Sequence, residues 1–295
     1  MSSELEPPIH AVREAVGRAL AEDLTPLGDL TSMLLPADLV TTARFVVRAP
    51  GVLAGVACAD EAFAQVDPEV STRWTVRDGD VVEAGQEVGV VSGRLASVLT
   101  AERTALNFLG HLSGVATSTR RFVDRAASAG SARIWDTRKT TPGLRALEKA
   151  AVRAGGGANH RGNLSDWILL KDNHLALLGI AGAVAHARSR WPARTVHVEC
   201  DSIGQVGEAL AAGADALLLD NMSPDEIRAC VALAEEHAAG GRRPLLEVSG
   251  GVTLDTVASY ASTGVDMISV GAITNSAPVL DIGLDIEPGD PGGIG

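Results

Sequence analysis

The chain has 295 residues, 46% of them apolar and 21% charged, a composition that excludes a disordered chain and provides ample length for a large core. Its net charge of −12 argues against the basic stripe of a nucleic-acid binder, so a cluster of cations here is a local feature opposing the field of the whole molecule. Aromatic residues make up only 3%, which leaves Ala, Val, Leu and Ile to fill a core of the kind that seats helices closely on a parallel sheet.

The N-terminus, MSSELEPPIH, is acidic and has no apolar stretch, so no secretory leader is expected. Pro8 precedes a helix-period stripe of Ile9, Val12, Val16 and Leu20. Arg44 to Val56 alternates around Pro50-Gly51 and predicts a hairpin. Arg73 to Val91 is again β-like, with turns at Asp78-Gly79 and Ala84-Gly85, and is similar to the half-repeat of biotinyl and lipoyl carrier domains. Those domains carry their prosthetic group on a lysine, and no lysine precedes Lys139, so a carrier role is excluded on chemistry. Ala101 to Thr117 reads as a helix with Leu106, Leu109 and Leu112 on one side and Arg103 near its start.

From Arg133 onward one pattern recurs. Apolar runs at Ile134-Trp135, Trp167 to Leu170, Val196 to Val198, Ala216 to Leu219, Leu245 to Val248 and Met267 to Val270 alternate with helical segments. That spacing predicts consecutive βα units and a parallel sheet whose strands are buried on both faces. Without a GxGxxG after a first strand, a barrel is favoured over a doubly wound sheet, and six strands instead of eight make it incomplete. The longest apolar run, near Leu175 to Ala187, is too short and too interrupted by glycine to span a bilayer. Cys58, Cys200 and Cys230 lack metal-ligand or CxxC spacing and read as reduced thiols of a cytoplasmic protein.

The C-terminal ends of barrel strands converge on one mouth, where active sites lie. Here they carry Arg138, Lys139, Lys171, Asp172, Glu199, Asp201, Asp220, Glu247, Ser249, Gly250 and Gly271. The chain has only Lys139, Lys149 and Lys171 as lysines against 22 arginines, yet two of them fall at strand ends. Lys and Arg differ as ligands, a point charge on a flexible stem against a planar fork, so the choice is informative. Ser249-Gly250-Gly251 and Gly271-Ala272 end the last two strands, where glycine lets backbone N–H groups approach a phosphate. No second clustered His or Cys suggests a zinc site. Carboxylates Glu199 and Asp220 facing a phosphate-rich ligand suit magnesium, held directly or through water. A Schiff-base role for Lys171 stays open at this point.

The segment DTRKTTPGLRALEKAAVRAGGGANHRGNLSDWILLKDNH closely resembles the quinolinate phosphoribosyltransferase family. ERTALNFLGHLSGVAT, HVECDS, ALLLDNMSP, LLEVSGGVT and MISVGAIT match it in order, so the resemblance covers essentially the whole chain. It implies an α/β protein with an N-terminal α/β sandwich domain over 1–115, joined by the tail 276–295, and an open, incomplete parallel α/β barrel over 116–275. It also implies transfer of 5-phosphoribosyl from phosphoribosyl pyrophosphate to quinolinate with decarboxylation, giving nicotinate mononucleotide in NAD biosynthesis, with magnesium required. By the same resemblance Thr137, Arg138, Lys139, His160, Arg161 and Lys171 bind the substrate anions, and Glu199 and Asp220 lie near the ribose and the metal. Ser249, Gly250, Gly251, Gly271 and Ala272 form the 5-phosphate loops. Catalysis would fall to Lys139, Lys171, Glu199 and Asp220, and Arg103 would reach the partner subunit's site in a homodimer or larger homo-oligomer. The alternatives are a related enzyme for another pyridine carboxylate or a phosphate-binding barrel lyase or aldolase using Lys171. No role is assigned to the loop 238–243 (AAGGRR).

Overall fold

The stripe after Pro8 forms helix α1 (Ile9–Leu24), which buries Val12, Ala15, Val16 and Leu20. In the computed structural model, which describes residues 5–238, 241 and 243–286, contacts divide the chain into two units. One holds the residues up to Arg120 with Thr140–Gly156 and the segment from Ile273; the other holds Arg121–Lys139 and Gly157–Ala272. Residues 1–4, 239, 240, 242 and 287–295 lie outside the described set, and with them part of the N-terminus, of the 238–243 loop and of the tail.

In the first unit, strand β1 (Val40–Val47) alternates, with Ala43, Phe45 and Val47 fully buried. The expected hairpin across Pro50-Gly51 does not form. Strand β2 (Gly51–Val52) leaves β1 and pairs antiparallel with β4 (Val81–Val82). The reason is a close approach to helix α3 (Leu95–Ala127): Val52 N donates to Thr117 Oγ1 at 2.8 Å, and a Cβ on Gly51 would lie 2.6 Å from that oxygen. Between these strands come α2 (Val56–Val66) and β3 (Ser71–Trp74), and β5 (Glu87–Arg94) follows. The four-stranded antiparallel sheet runs β12-β1-β5-β3, where β12 is Ile282–Ile286, so β4 and β5 of the carrier-like stretch belong to separate sheets. Phe45 stacks on Trp74 with ring centroids 4.6 Å apart and meets Phe63 edge-on at 6.1 Å.

Helix α3 is 33 residues long, well beyond the predicted 101–117. Two of its glycines are contact points. Gly110 O accepts from Leu280 N at 2.9 Å, and a Cβ on Gly114 would lie 2.1 Å from Pro278 O. Helix α4 (Arg145–Ala154), which the sequence pattern reads as the first helix of the βα series, groups by contacts with this unit.

The second unit contains a six-stranded sheet, all parallel, in the order β6-β11-β10-β9-β8-β7. The strands are β6 (Arg133–Trp135), β7 (Ile168–Leu170), β8 (Val196–Cys200), β9 (Ala216–Asp220), β10 (Leu245–Ser249) and β11 (Met267–Ser269). Strands follow one another in sequence order, and the first then pairs with the last, as in a closing barrel; the ring stays open between β6 and β7. The connecting helices are α5 (Asp172–Leu178), α6 (Ile180–Arg190), α7 (Ile203–Ala211), α8 (Pro224–Ala238) and α9 (Val257–Ala261). Gly179, at φ +63°, divides the helical segment after β7 into α5 and α6. The helix α10 (Ala272–Asn275) follows β11. Among the described residues no helix is long and apolar enough to cross a membrane.

Candidate active site

Residues two apart on a strand share a face. Leu169 and Lys171, His197 and Glu199, Leu218 and Asp220, and Glu247 and Ser249 therefore form an inner and an outer layer at the C-terminal ends of β7 to β10. The inner layer is buried, with His197 2% and Glu247 1% exposed, and the outer layer is reachable by solvent. Lys171 stands just past β7, while Glu199, Asp220 and Ser249 are the last or next-to-last residues of their strands.

In the outer layer the Lys171 ammonium pairs with the Glu199 carboxylate. Glu199 and Asp220 line a cavity of about 460 Å³ together with Asp172, Asp201 and Glu208. Every charged donor on that wall is a carboxylate, a set that fits a hard, oxygen-liganded cation and not a thiophilic one. Asp220 Oδ2 also accepts from Asn221 Nδ2 at 2.7 Å. Asn221 sits at φ +55°, and its N donates to Ser249 O at 3.0 Å, tying the end of β9 to that of β10. The glycine after Ser249 answers to the same geometry: Gly250 has φ +95°, and a Cβ there would lie 2.2 Å from Asn221 Oδ1.

At the other edge, Lys139 N donates to Thr137 Oγ1 at 2.9 Å. The Lys139 side chain passes Gly271 so closely that a Cβ on the glycine would be 2.9 Å from Lys139 Cδ. Thr137, Lys139 and Gly271 are thus brought together, with Ala272 exposed at the start of α10.

Arg161 is 8% exposed and His160 7%. Burial first, and the neighbouring Arg138 charge second, depress the Arg161 guanidinium pKa, while Glu247 and Asp166 act in the opposite sense. Arg138 itself is exposed, and an anion between it and buried Arg161 would relieve the repulsion that its charge exerts. His160 N donates to Asp136 Oδ1 at 2.8 Å, and Asn159 Nδ2 donates to Asp136 Oδ2 at 2.7 Å. Asp136 itself is fully buried. The His160 ring meets Trp167 edge-on with centroids 4.7 Å apart.

The structure corrects the expectation that no second histidine clusters here. His160, His197 and Glu247 bring their ligand atoms within 4.8 Å of one another. Glu247 Oε2 lies 3.1 Å from His160 Nε2 and 3.5 Å from His197 Nε2. Burial drives the His197 pKa down to about 4. The sequence hid this trio because His197 stands inside an apolar strand, far along the chain from His160. Asp136 was also missed, although a carboxylate on the opposite face to Trp135 and Thr137 was a usable signal. Arg103 lies exposed on α3 in the first unit.

The profile of the quinolinate phosphoribosyl transferase C-terminal domain matches residues 115–285, and that of the N-terminal domain matches residues 29–113. Nicotinate-nucleotide pyrophosphorylase [carboxylating] of Mycobacterium leprae is 44% identical over 282 residues, covering 94% of this chain and 97% of that protein. Quinolinate phosphoribosyltransferase [decarboxylating] 2b of Nicotiana tabacum is 38% identical over 305 residues, with 97% and 86% covered. The structure of nicotinate-nucleotide pyrophosphorylase from Francisella tularensis superposes with a TM-score of 0.90 at 38% identity, covering 96% of this chain and 98% of that one. The open parallel barrel, the polar ring of strand ends and these matches agree, and the chain belongs to the quinolinate phosphoribosyltransferase family.

Proposed function

We infer that this chain transfers the 5-phosphoribosyl group of phosphoribosyl pyrophosphate to the ring nitrogen of quinolinate, releasing pyrophosphate and CO2 and leaving nicotinate mononucleotide. The observation that carries the reading is the charge of exposed Arg138 bearing on buried Arg161, next in the chain to buried His160, two like charges near each other in a protein of net charge −12. Two carboxylates on one small ring suit such a pair through bidentate and charge-assisted hydrogen bonds. Lys139 and Lys171 supply compact charges suited to the pyrophosphate and the remaining anionic oxygens. The Ser249-Gly250-Gly251 and Gly271-Ala272 turns offer backbone N–H groups to the 5-phosphate.

Cleavage at the anomeric carbon develops positive charge on the sugar ring. Glu199 and Asp220, fixed at neighbouring strand ends, stabilise that charge as it grows and hold the ribose beside the pyridine nitrogen. The alkylated nitrogen is cationic and stabilises electrostatically the electron pair left on the adjacent ring carbon when its carboxylate departs as CO2; that carbon then takes a proton from water, forming the C–H bond of the product, so no separate electron sink is needed. Magnesium, when bound, would supply charge neutralisation for the leaving pyrophosphate, with Glu199 and Asp220 holding it directly or through water. Pairing of Lys171 with Glu199 suits an anion-binding ammonium and disfavours the Schiff-base alternative.

We place Arg103 in the active site of a second copy of the chain, in a homodimer or larger assembly acting in the cytoplasm. The deciding experiment for the activity is incubation with quinolinate, phosphoribosyl pyrophosphate and magnesium. Release of CO2 in step with pyrophosphate is expected. Turnover of nicotinate in place of quinolinate would move the assignment to a related enzyme for another pyridine carboxylate.

A further inference from the structure

Binding of a dicarboxylate gives His160 a role but gives none to the two buried groups behind it. Glu247 is 1% exposed on β10, yet its carboxylate faces two imidazoles, His160 at 3.1 Å and His197 at 3.5 Å. Burial alone would push the Glu247 pKa up, but the His160 hydrogen bond and the two histidines outweigh it and leave it below the ordinary value. Glu247 Oε2 lies within hydrogen-bond distance of His160 Nε2, and a carboxylate that accepts there needs the ring proton on that nitrogen. The His160 main chain is tied to Asp136 and the ring leans on Trp167, so Glu247 completes the set of restraints by acting on the ring nitrogen itself. The same carboxylate favours the charged state of Arg161 next in the chain.

We propose that Glu247 is a positioning residue for the pyridine dicarboxylate, acting through His160 Nε2 to hold the imidazole, and with it the Arg161 guanidinium, in the arrangement that receives the two carboxylates. This rests on the dicarboxylate reading above. Two histidines and a glutamate are also a zinc donor set, but a separation of 3.1 Å is that of a direct hydrogen bond and needs no ion between the partners.

The test is E247Q in the full-length chain, with both substrates varied. The expected result is a KM for quinolinate raised about tenfold, equivalent to about 1.4 kcal/mol, with the KM for phosphoribosyl pyrophosphate changed less than about twofold. In a His160→Ala background, adding E247Q should change quinolinate affinity less than about twofold, because the group it works through is gone. An unchanged quinolinate KM in folded E247Q, or the same loss in both backgrounds, overturns the proposal. Nitrogen-15 NMR of the wild-type imidazoles gives a readout that needs no variant to fold: His160 should carry its proton on Nε2, and a proton on Nδ1 alone overturns the contact. About one equivalent of zinc in the purified protein, lost in His197→Ala, would overturn it by making the trio a metal site. Wild-type turnover separates the two levels. An active wild type with an unaffected variant sinks the positioning role, whereas an inactive wild type sinks the dicarboxylate reading while the NMR result still decides the His160 contact.

Discussion

Arg161 shows what a single side chain contributes when it is both buried and crowded. Its fork geometry matters as much as its charge, so Arg161→Lys should raise the KM for quinolinate roughly tenfold to a hundredfold, measured against an unchanged thermal midpoint. The cysteines are a contrasting case. Burial pushes the thiols of Cys58 and Cys200 up to about 12 and that of Cys230 to about 11. Thiolate is the reactive form, so all three should resist iodoacetamide at pH 8 in the native protein and react once it is unfolded. Counting intact thiols by mass spectrometry checks this. At this scale the sequence was informative wherever a polar residue stood just beyond an apolar run, as with Lys171, Glu199 and Asp220. It was silent on His197, whose apolar neighbours Val196 and Val198 make it look like one more core position, and whose partner Glu247 comes from a strand two places away in the sheet.

Elements are decided by what presses on them. Gly250 has room for no side chain beside Asn221, so Gly250→Ala should distort the β10 turn and raise the KM for phosphoribosyl pyrophosphate, with quinolinate binding in calorimetry less affected. Gly114 is tight for another reason: Pro278 O lies against it, and Gly114→Ala should cost on the order of 1–3 kcal/mol of stability, read by urea unfolding. The extra length of α3 lies on either side of that contact, at 95–100 and 118–127. Gly110 and Gly114 let a distant segment of the chain lie against the helix. Asp29 gives a pH dependence. Hydrogen bonds, led by that from Ser32 Oγ, lower its carboxyl pKa below 3.8. A lowered acid contributes stability above its unfolded value and loses it as pH falls through the folded one. Asp29→Asn should therefore be less stable than the parent at pH 7, with the gap closing toward pH 2.

For the whole molecule, the barrel was legible because its units repeat locally: each apolar strand is followed by its own helix, and parallel order follows from that rhythm. The first unit was less so, since β1 pairs with strands far along the chain and not with the β2 segment beside it. Assembly is testable as a separate matter. If Arg103 serves a second copy, mixing Arg103→Ala chains with Lys139→Ala chains under subunit exchange should recover part of the activity lost in each, and no recovery would assign Arg103 to its own chain's site.

The pairing of β1 with β12, Ala43 opposite Ile286 through Val47 opposite Ile282, has a consequence for biosynthesis. A ribosome presents Val40–Val47 early and Ile282–Ile286 only after all six strands of the parallel sheet have emerged. Until then one border of the first sheet is bare, a template for any stray strand, and the nascent protein has to wait with it uncovered. Truncation just before Ile282 should for that reason favour inclusion bodies over soluble product, even though every strand-end residue considered for catalysis would still be encoded.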